Sequence, residues 1–377
     1  MILNIIWNID PDIFTLGPFQ LKWLTVLLVA GILAGKMILS YIYKKDGGNL
    51  KEASQIFYIT LVAAVIGSRL FYVAFMDHDI LFNKPGQIFF PFDFDRGFRF
   101  TGLGQFSMLG MLAGVVIALF GYAKLKKRSV LALLDKGLFV LLILIIFMRV
   151  GELFQSEYIG TPTDAKTGVL FVHKVERGLQ KLPCCAMRNP NGENPLDTVS
   201  VKPGKVLLHK AVGYRPLIAY VFFKDGATEQ LVNEFLIGDV KSYLFEVPDL
   251  IYEPGTEPLH YTIFVEGVSD YMARIQTIGI ARHPLQVYEA VAYLILFLIL
   301  FRYWRNRKQI PEGKMAGILL MSVSGIHFAI EFLNVISRPL IKSIPLTTDQ
   351  YLCLPIFILG VLLLFLSRTK KAPVIGQ

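Results

Sequence analysis

Seven long stretches of this chain are too apolar, and too poor in charge, to alternate buried and exposed faces as the elements of an ordinary water-soluble domain do. They run from Leu21 to Tyr43, Gln55 to Phe75, Ser107 to Ala123, Leu131 to Val150, Leu285 to Trp304, Met315 to Leu333 and Tyr351 to Leu366. Most approach the roughly 20 residues that a helix needs to cross the hydrocarbon of a bilayer. The expected fold is therefore an all-α polytopic membrane protein of about seven transmembrane helices. Composition agrees: 54% of the 377 residues are hydrophobic, yet the formal net charge is +9, a combination rare in soluble proteins.

The basic residues fall in alternate loops. Lys44-Lys45 follow the first run, Lys124 to Arg128 the third, Arg302 to Lys308 the fifth and Arg368 to Lys371 the last. Basic flanks are retained in the cytoplasm, so the expected orientation has the N-terminus outside and the C-terminus inside. No basic segment with a short apolar core and a small-residue cleavage site precedes the first run, so that helix is expected to remain in the mature protein.

Between the fourth and fifth runs lies a stretch longer than ordinary loops. The expected division is residues 1–163 with four helices, 164–280 as an external, small mixed α/β insertion domain, and 281–377 with three helices. Val169 to Val175, Lys205 to Lys210, Leu217 to Phe223 and Tyr261 to Val265 read as strands, with turn chemistry at Pro203-Gly204 and Asp225-Gly226. Thr228 to Ile237 reads as a short helix. Three cysteines, two of them the adjacent Cys184-Cys185, make no disulfide framework.

Ionisable groups at the ends of apolar spans are costly in lipid and usually face a cavity or a partner. Arg69 and Tyr72 lie three apart on one helical face, where a planar guanidinium is suited to a lipid phosphate or, as a structural alternative, snorkels to the interface. Polar residues crowd the stretch from Arg149 to Pro162, including Glu152, Gln155, Glu157 and Gly160. Arg282-His283-Pro284 opens the fifth span, with Gln286, Tyr288 and Glu289 on its first turns; proline suits a helix start because it needs no amide partner. His327 and Glu331 stand at i and i+4 in the sixth span, either as a structural pair or as site residues, and Gln350 opens the seventh. Arginines, histidines and carboxylates gathered near the outer half of a helical membrane protein suit an anionic phospholipid head group. No histidine pair has ligand spacing that marks a metal site, and neither a cofactor nor a nucleic-acid partner is expected.

These residues resemble the bacterial prolipoprotein diacylglyceryl transferase family. The likeness covers nearly the whole chain outside the insertion: Asp10-Pro11, Ile13-Phe14 and Gly17-Pro18 before the first span, Gly67-Ser68-Arg69-Leu70-Phe71-Tyr72 in the second, the signature stretch from Arg149 to Gly160, and the intact Arg-His-Pro-x-Gln-x-Tyr-Glu motif from Arg282 to Glu289. Glu331 and the stretch from Gln350 to Pro355 follow in the family's order. The resemblance implies transfer of the diacylglyceryl group of phosphatidylglycerol to a lipoprotein cysteine thiol, with release of glycerol phosphate, at the external face of the bacterial inner membrane. Such a reaction asks for a thiolate, cationic groups on the phosphate and a base.

The chain also departs from the family's pattern. Leu109 stands where the family has the histidine thought to be the base, and Leu24 and Val323 replace tyrosines. Glu152 and Gln155 replace asparagines, and His327 replaces an arginine. Glu152 beside Arg149 is expected to offset the charge a phosphate would use. Two readings follow. One is a diverged transferase with Arg149, Arg69 and Arg282 on the head group, Glu157 retained, and His283 or His327 as replacement base. The other is an inactive family member that binds phospholipid or a partner protein, such as a lipoprotein precursor, through its external domain. A channel or transporter ranks below both, since no inverted repeat is visible.

Overall fold

The computed structural model describes residues 5–16, 19–77, 92–93, 99–100, 107–182, 196–205, 209–223, 227–266, 270–306, 310–335, 339–341 and 344–367. Gly17-Pro18, Cys184-Cys185, Asp225-Gly226 and the basic cluster from Arg368 lie outside them. Among the described residues, seven helices are long and apolar enough to span a membrane: α1 (Trp23–Lys45), α2 (Leu50–Phe75), α3 (Met108–Lys126), α4 (Val130–Gln155), then, beyond the intervening segment, three more at Leu285–Asn306, Lys314–Ile330 and Thr348–Leu366. Their existence follows from the seven apolar runs, because a helix satisfies its backbone amides internally where water is absent.

Chain contacts divide the protein into two compact units. One comprises Leu28–Phe147, Ala292–Ile326 and Leu352–Gln377. Its core joins Ile42, Leu138, Phe139, Leu142, Tyr293, Leu300, Met315, Leu319 and Leu363. Here α2 and α3 approach backbone to backbone: a Cβ on Gly114 would stand 2.2 Å from the Ala63 carbonyl oxygen. Small residues permit that closeness where lipid offers no hydrophobic drive for association. Asp135 on α4 accepts from the Gly313 and Ala316 amides, both at 2.8 Å, and so satisfies donors left open at the start of the helix Lys314–Ile330.

The other unit comprises Met1–Leu27, Met148–Val291 and His327–Tyr351. Between α4 and the fifth spanning helix come β6 (Val169–Phe171), α5 (Val172–Gln180), β7 (Leu196–Pro203), β8 (Tyr214–Phe223), α6 (Glu229–Phe235), a π-helical turn at Leu236–Val240, α7 (Lys241–Glu246), β9 (Ile251–Tyr252), β10 (His260–Glu266) and β11 (Asp270–Ile280). With these in place, the last three spanning helices are α8 (Leu285–Asn306), α9 (Lys314–Ile330) and α10 (Thr348–Leu366). The main sheet has the order β10-β11-β8-β7, antiparallel throughout, with β9 also paired to β11. Two-stranded ribbons complete the inventory: β1 (Ile5–Trp7) runs parallel to β6, and β2 (Asp12–Leu16) pairs β3 (Phe19–Lys22). The others are β4 (Phe92–Asp93) with β5 (Arg99–Phe100) and β12 (Pro339–Ile341) with β13 (Ile344–Thr347).

Several expectations need correction. The strand expected from Val169 to Val175 ends at Phe171 and turns into α5, because Val172, Val175 and Leu179 recur on one helical face and are all buried. The strand expected at Lys205 to Lys210 falls for half its length outside the described residues, and a strand lies just before it at Leu196–Pro203, where Val199 and Val201 alternate into the core. The helix expected from Thr228 to Ile237 runs on through a π turn into α7, so that Val232, Phe235, Leu236, Val240 and Leu244 form one buried stripe. The strand Asp270–Ile280 was not expected; its buried positions Ala273, Ile275 and Thr277 alternate with Arg274 and Gln276, whose polarity masks the period. Helix α4 also continues past Val150 to Gln155, so Arg149 and Glu152 are helical.

The N-terminal segment is pinned within this unit. Arg177 on α5 donates to Asp10 at 2.7 Å and to Asp12 at 2.6 Å, and Asn8 donates to Glu176 at 3.1 Å.

Candidate functional site

The polar stretch after α4 is held in place by backbone pairing. Gly160 bridges to Asn334, and Pro162 and Val169 both bridge to Arg282. Thr161 donates its amide to the Leu333 carbonyl at 2.7 Å and accepts from the His283 amide at 3.2 Å. Glycine is required at 160, since a Cβ there would stand 2.5 Å from the His283 carbonyl oxygen. The Arg282 side chain, 3% exposed, locks this crossing: its Nε donates to the Asp249 carbonyl at 2.6 Å and its Nη1 to the Gly160 carbonyl at 3.2 Å. Gln286, buried on the first turn of α8, donates to the Tyr158 carbonyl at 2.9 Å.

Beside this scaffold runs a chain of charges. Arg149 donates from Nη1 to Glu152 at 2.7 Å, and its Nε pairs with Glu289. Its guanidinium also lies 5.5 Å from the centre of the Tyr158 ring, within cation–π range. The other oxygen of Glu289 meets His327 Nδ1 at 2.5 Å. His327, Glu331 and Asp349 then each bring a ligand-capable atom within 4.8 Å of the others. Glu331, 2% exposed, begins the 3-10 turn after α9 and accepts from Asn334 Nδ2 at 3.0 Å. Gln350 is equally buried; its Oε1 accepts from the Thr347 amide and its Nε2 donates to the Phe328 carbonyl. Burial, then the charge of Asp349, pushes the Tyr158 phenol above its ordinary range, so it stays protonated and able to donate.

Among the residues singled out from sequence, Arg149, Glu152, Glu289, His327 and Glu331 thus form one network, with Gln286 and Gln350 bonded to backbone around it. Glu152 does engage Arg149, as its position suggested. His283 stands at the Gly160 crossing, its Nδ1 2.9 Å from the Tyr288 hydroxyl, which also lies 3.3 Å from Thr167. Burial holds its imidazole below the usual histidine range. Glu157 is exposed, with Lys174 as an electrostatic neighbour. Gln155 is half-buried. Arg69 and Tyr72 belong to the other unit, where the guanidinium lies 5.9 Å from the Tyr72 ring. Leu109, at the start of α3, is exposed. Two members went unread in the sequence: Tyr158 and Asp349. Asp349 is carried on α10 and offered no spacing to its partners, although its place in the first turn of an intramembrane helix was a signal.

The family model of prolipoprotein diacylglyceryl transferase matches residues 11–366 of the chain. The chain belongs to the prolipoprotein diacylglyceryl transferase family. Among curated proteins, it is similar to the phosphatidylglycerol–prolipoprotein diacylglyceryl transferase of Chloroherpeton thalassium, 21% identical over 96% of this chain and 94% of that one. The enzyme of the same name from Bacteroides fragilis is 21% identical over 99% and 98%. That of Campylobacter curvus reaches 29% identity, over 44% of this chain and 62% of its own. The transferase family's likeness therefore extends through the segment between α4 and α8 as well as the spanning helices.

Proposed function

We propose that this protein transfers the diacylglyceryl group of phosphatidylglycerol to the cysteine thiol of a lipoprotein precursor, at the external face of a bacterial inner membrane. The observation that carries the proposal is the Arg149–Glu289–His327 network, partly buried at the ends of spanning helices. Names of the full-length relatives support the same substrates.

In this reading the thiol gives its proton to His283, whose imidazole burial keeps neutral and whose Nδ1 is oriented by Tyr288. The thiolate attacks the glyceryl carbon next to the phosphate, a carbon–sulfur bond forms, and the carbon–oxygen bond breaks. The electron pair leaves on the phosphate oxygen as glycerol phosphate. Arg149, with Tyr158 as a neutral donor beside it, stabilises that departing charge. Arg282, Gln286 and Gly160 position the crossing rather than contact substrate.

The direct test incubates the reconstituted protein with phosphatidylglycerol and a peptide bearing a lipoprotein-type cysteine. The peptide is expected to gain one diacylglyceryl mass on its thiol. A peptide that stays unmodified, while phospholipid co-purifies with the protein, favours a family member kept for binding.

A further inference from the structure

The two edges of the main sheet are finished differently. On β7 the sequence carries Asp197, Lys202 and Pro203, the pairing shifts register between Leu196 and Thr198, and the Val201 amide donates to the Glu176 carboxylate of α5 at 2.6 Å. Such devices keep a sheet edge from pairing further. At the opposite edge, β10 has none of them. His260-Tyr261-Thr262-Ile263-Phe264-Val265-Glu266 contains neither lysine nor proline, and it pairs with β11 without a bulge along its whole length. Among the described residues, no side chain or loop takes its outward backbone groups. Tyr261, whose hydroxyl donates to Asn233 at 2.7 Å, and Ile263 pack against the core and hold the strand in place. Thr262, Phe264 and Val265 are exposed.

We propose that β10 takes up the water-facing flank of the precursor's reacting cysteine as an added β-strand. Which polypeptide docks rests on the transferase reading above; the strand addition does not. Two observations name the occupant. The first is continuity with the candidate site: His260 pairs with Gln276 on β11, and β11 runs on through Ile280 to His283, about 23 Å of extended chain away. A cysteine at His283 is thus separated from β10 by about seven extended residues, and roughly the next seven match the strand's length. The second is charge. Arg274 stands on β11 opposite Thr262, on the same face of the sheet, and its Nε is buried with no hydrogen-bond partner. Thr262 is short, so an acidic residue beside it on the added strand, about 10 Å from β11 between backbones, gives the long Arg274 side chain a carboxylate. Strand addition binds through the main chain and reads side chains at alternate positions. Precursors of different sequence therefore share the site, provided they are extended there.

The test mixes full-length protein in detergent with a labelled peptide that begins at a serine in place of the cysteine and continues for about fourteen residues, with threonine, valine and one aspartate in the last half. With peptide bound, hydrogen exchange at the β10 amides not bonded to β11 is expected to slow at least tenfold, while β7 is unchanged. Affinity is expected to fall at least tenfold for a peptide cut at its middle and for Phe264→Lys/Val265→Lys protein, and at least threefold for Arg274→Gln, each variant checked for an unchanged thermal unfolding curve. A peptide that does not bind, binds as tightly when cut, or leaves β10 exchange unchanged overturns the proposal, whatever the variants do. Protection of β10 that grows with protein concentration in the absence of peptide overturns it in favour of a second copy at the edge. Protection by the peptide, with no thiol modification of its cysteine form, supports the docking edge and overturns the transferase reading instead.

Discussion

At the residue scale the decisive pairing is Arg149 with carboxylates on two helices. Arg149 and Glu289 were readable as motif residues, but their contact was not, because Arg149 lies on α4 and Glu289 on α8 and no local spacing connects them. His327 and Glu331 were readable as an i, i+4 pair; Asp349, which completes their cluster, was not. The contacts of Arg282 were likewise unreadable: its guanidinium donates to the Asp249 and Gly160 carbonyls, far from it in sequence. His283 carries a prediction at this scale. Its pKa lies below the ordinary 6.5, so the base form dominates at neutral pH and is lost only as pH falls further. Transfer should therefore hold its rate from pH 8 to about 6.5 and decline in more acid solution. His283→Gln should lower the rate by about 10²–10⁴-fold and abolish that decline. A variant that keeps the wild-type pH profile places the base elsewhere.

At the element scale, the spanning helices were legible because length and hydropathy alone decide them, whereas the segment between α4 and α8 was legible only in part. A run of β-branched residues such as Val169 to Val175 serves strand and helix equally until its packing partners are known, and the core chose a helix from Val172 onward. The same segment carries a buried acid. Burial, opposed by Lys241, raises the Glu253 carboxyl from 4.5 to about 7. The folded form thus prefers this group protonated. Its contribution is fully present below pH 4.5 and is lost as pH rises through about 7. Allowing for solvent screening of a partly exposed group, the change is on the order of 1–2 kcal/mol. Hydrogen exchange across β9 and β10 of the full-length protein should quicken between pH 5 and 8 beyond the intrinsic chemical rate, and Glu253→Gln should flatten that excess. An equal excess in both proteins would remove Glu253 as its cause.

At the scale of the whole molecule, the alternation of basic loops predicts a topology with the segment between α4 and α8 outside and the α3–α4 turn inside. In a chain with its three cysteines replaced by serine, Lys166→Cys should react with a membrane-impermeant maleimide in intact cells, and Lys127→Cys only after permeabilisation. The reverse pattern would invert the topology and move the proposed chemistry to the cytoplasmic face.

The central claim is that the Arg149 network performs phospholipid-dependent transfer, and one comparison reaches it directly: glycerol phosphate release from phosphatidylglycerol vesicles holding wild-type or Arg149→Ala protein, with the cysteine peptide present. Loss of a charged donor aimed at the leaving phosphate should cut release by at least about 10²-fold. Release at equal rates from both proteins would contradict the account, because the site would then lie away from Arg149.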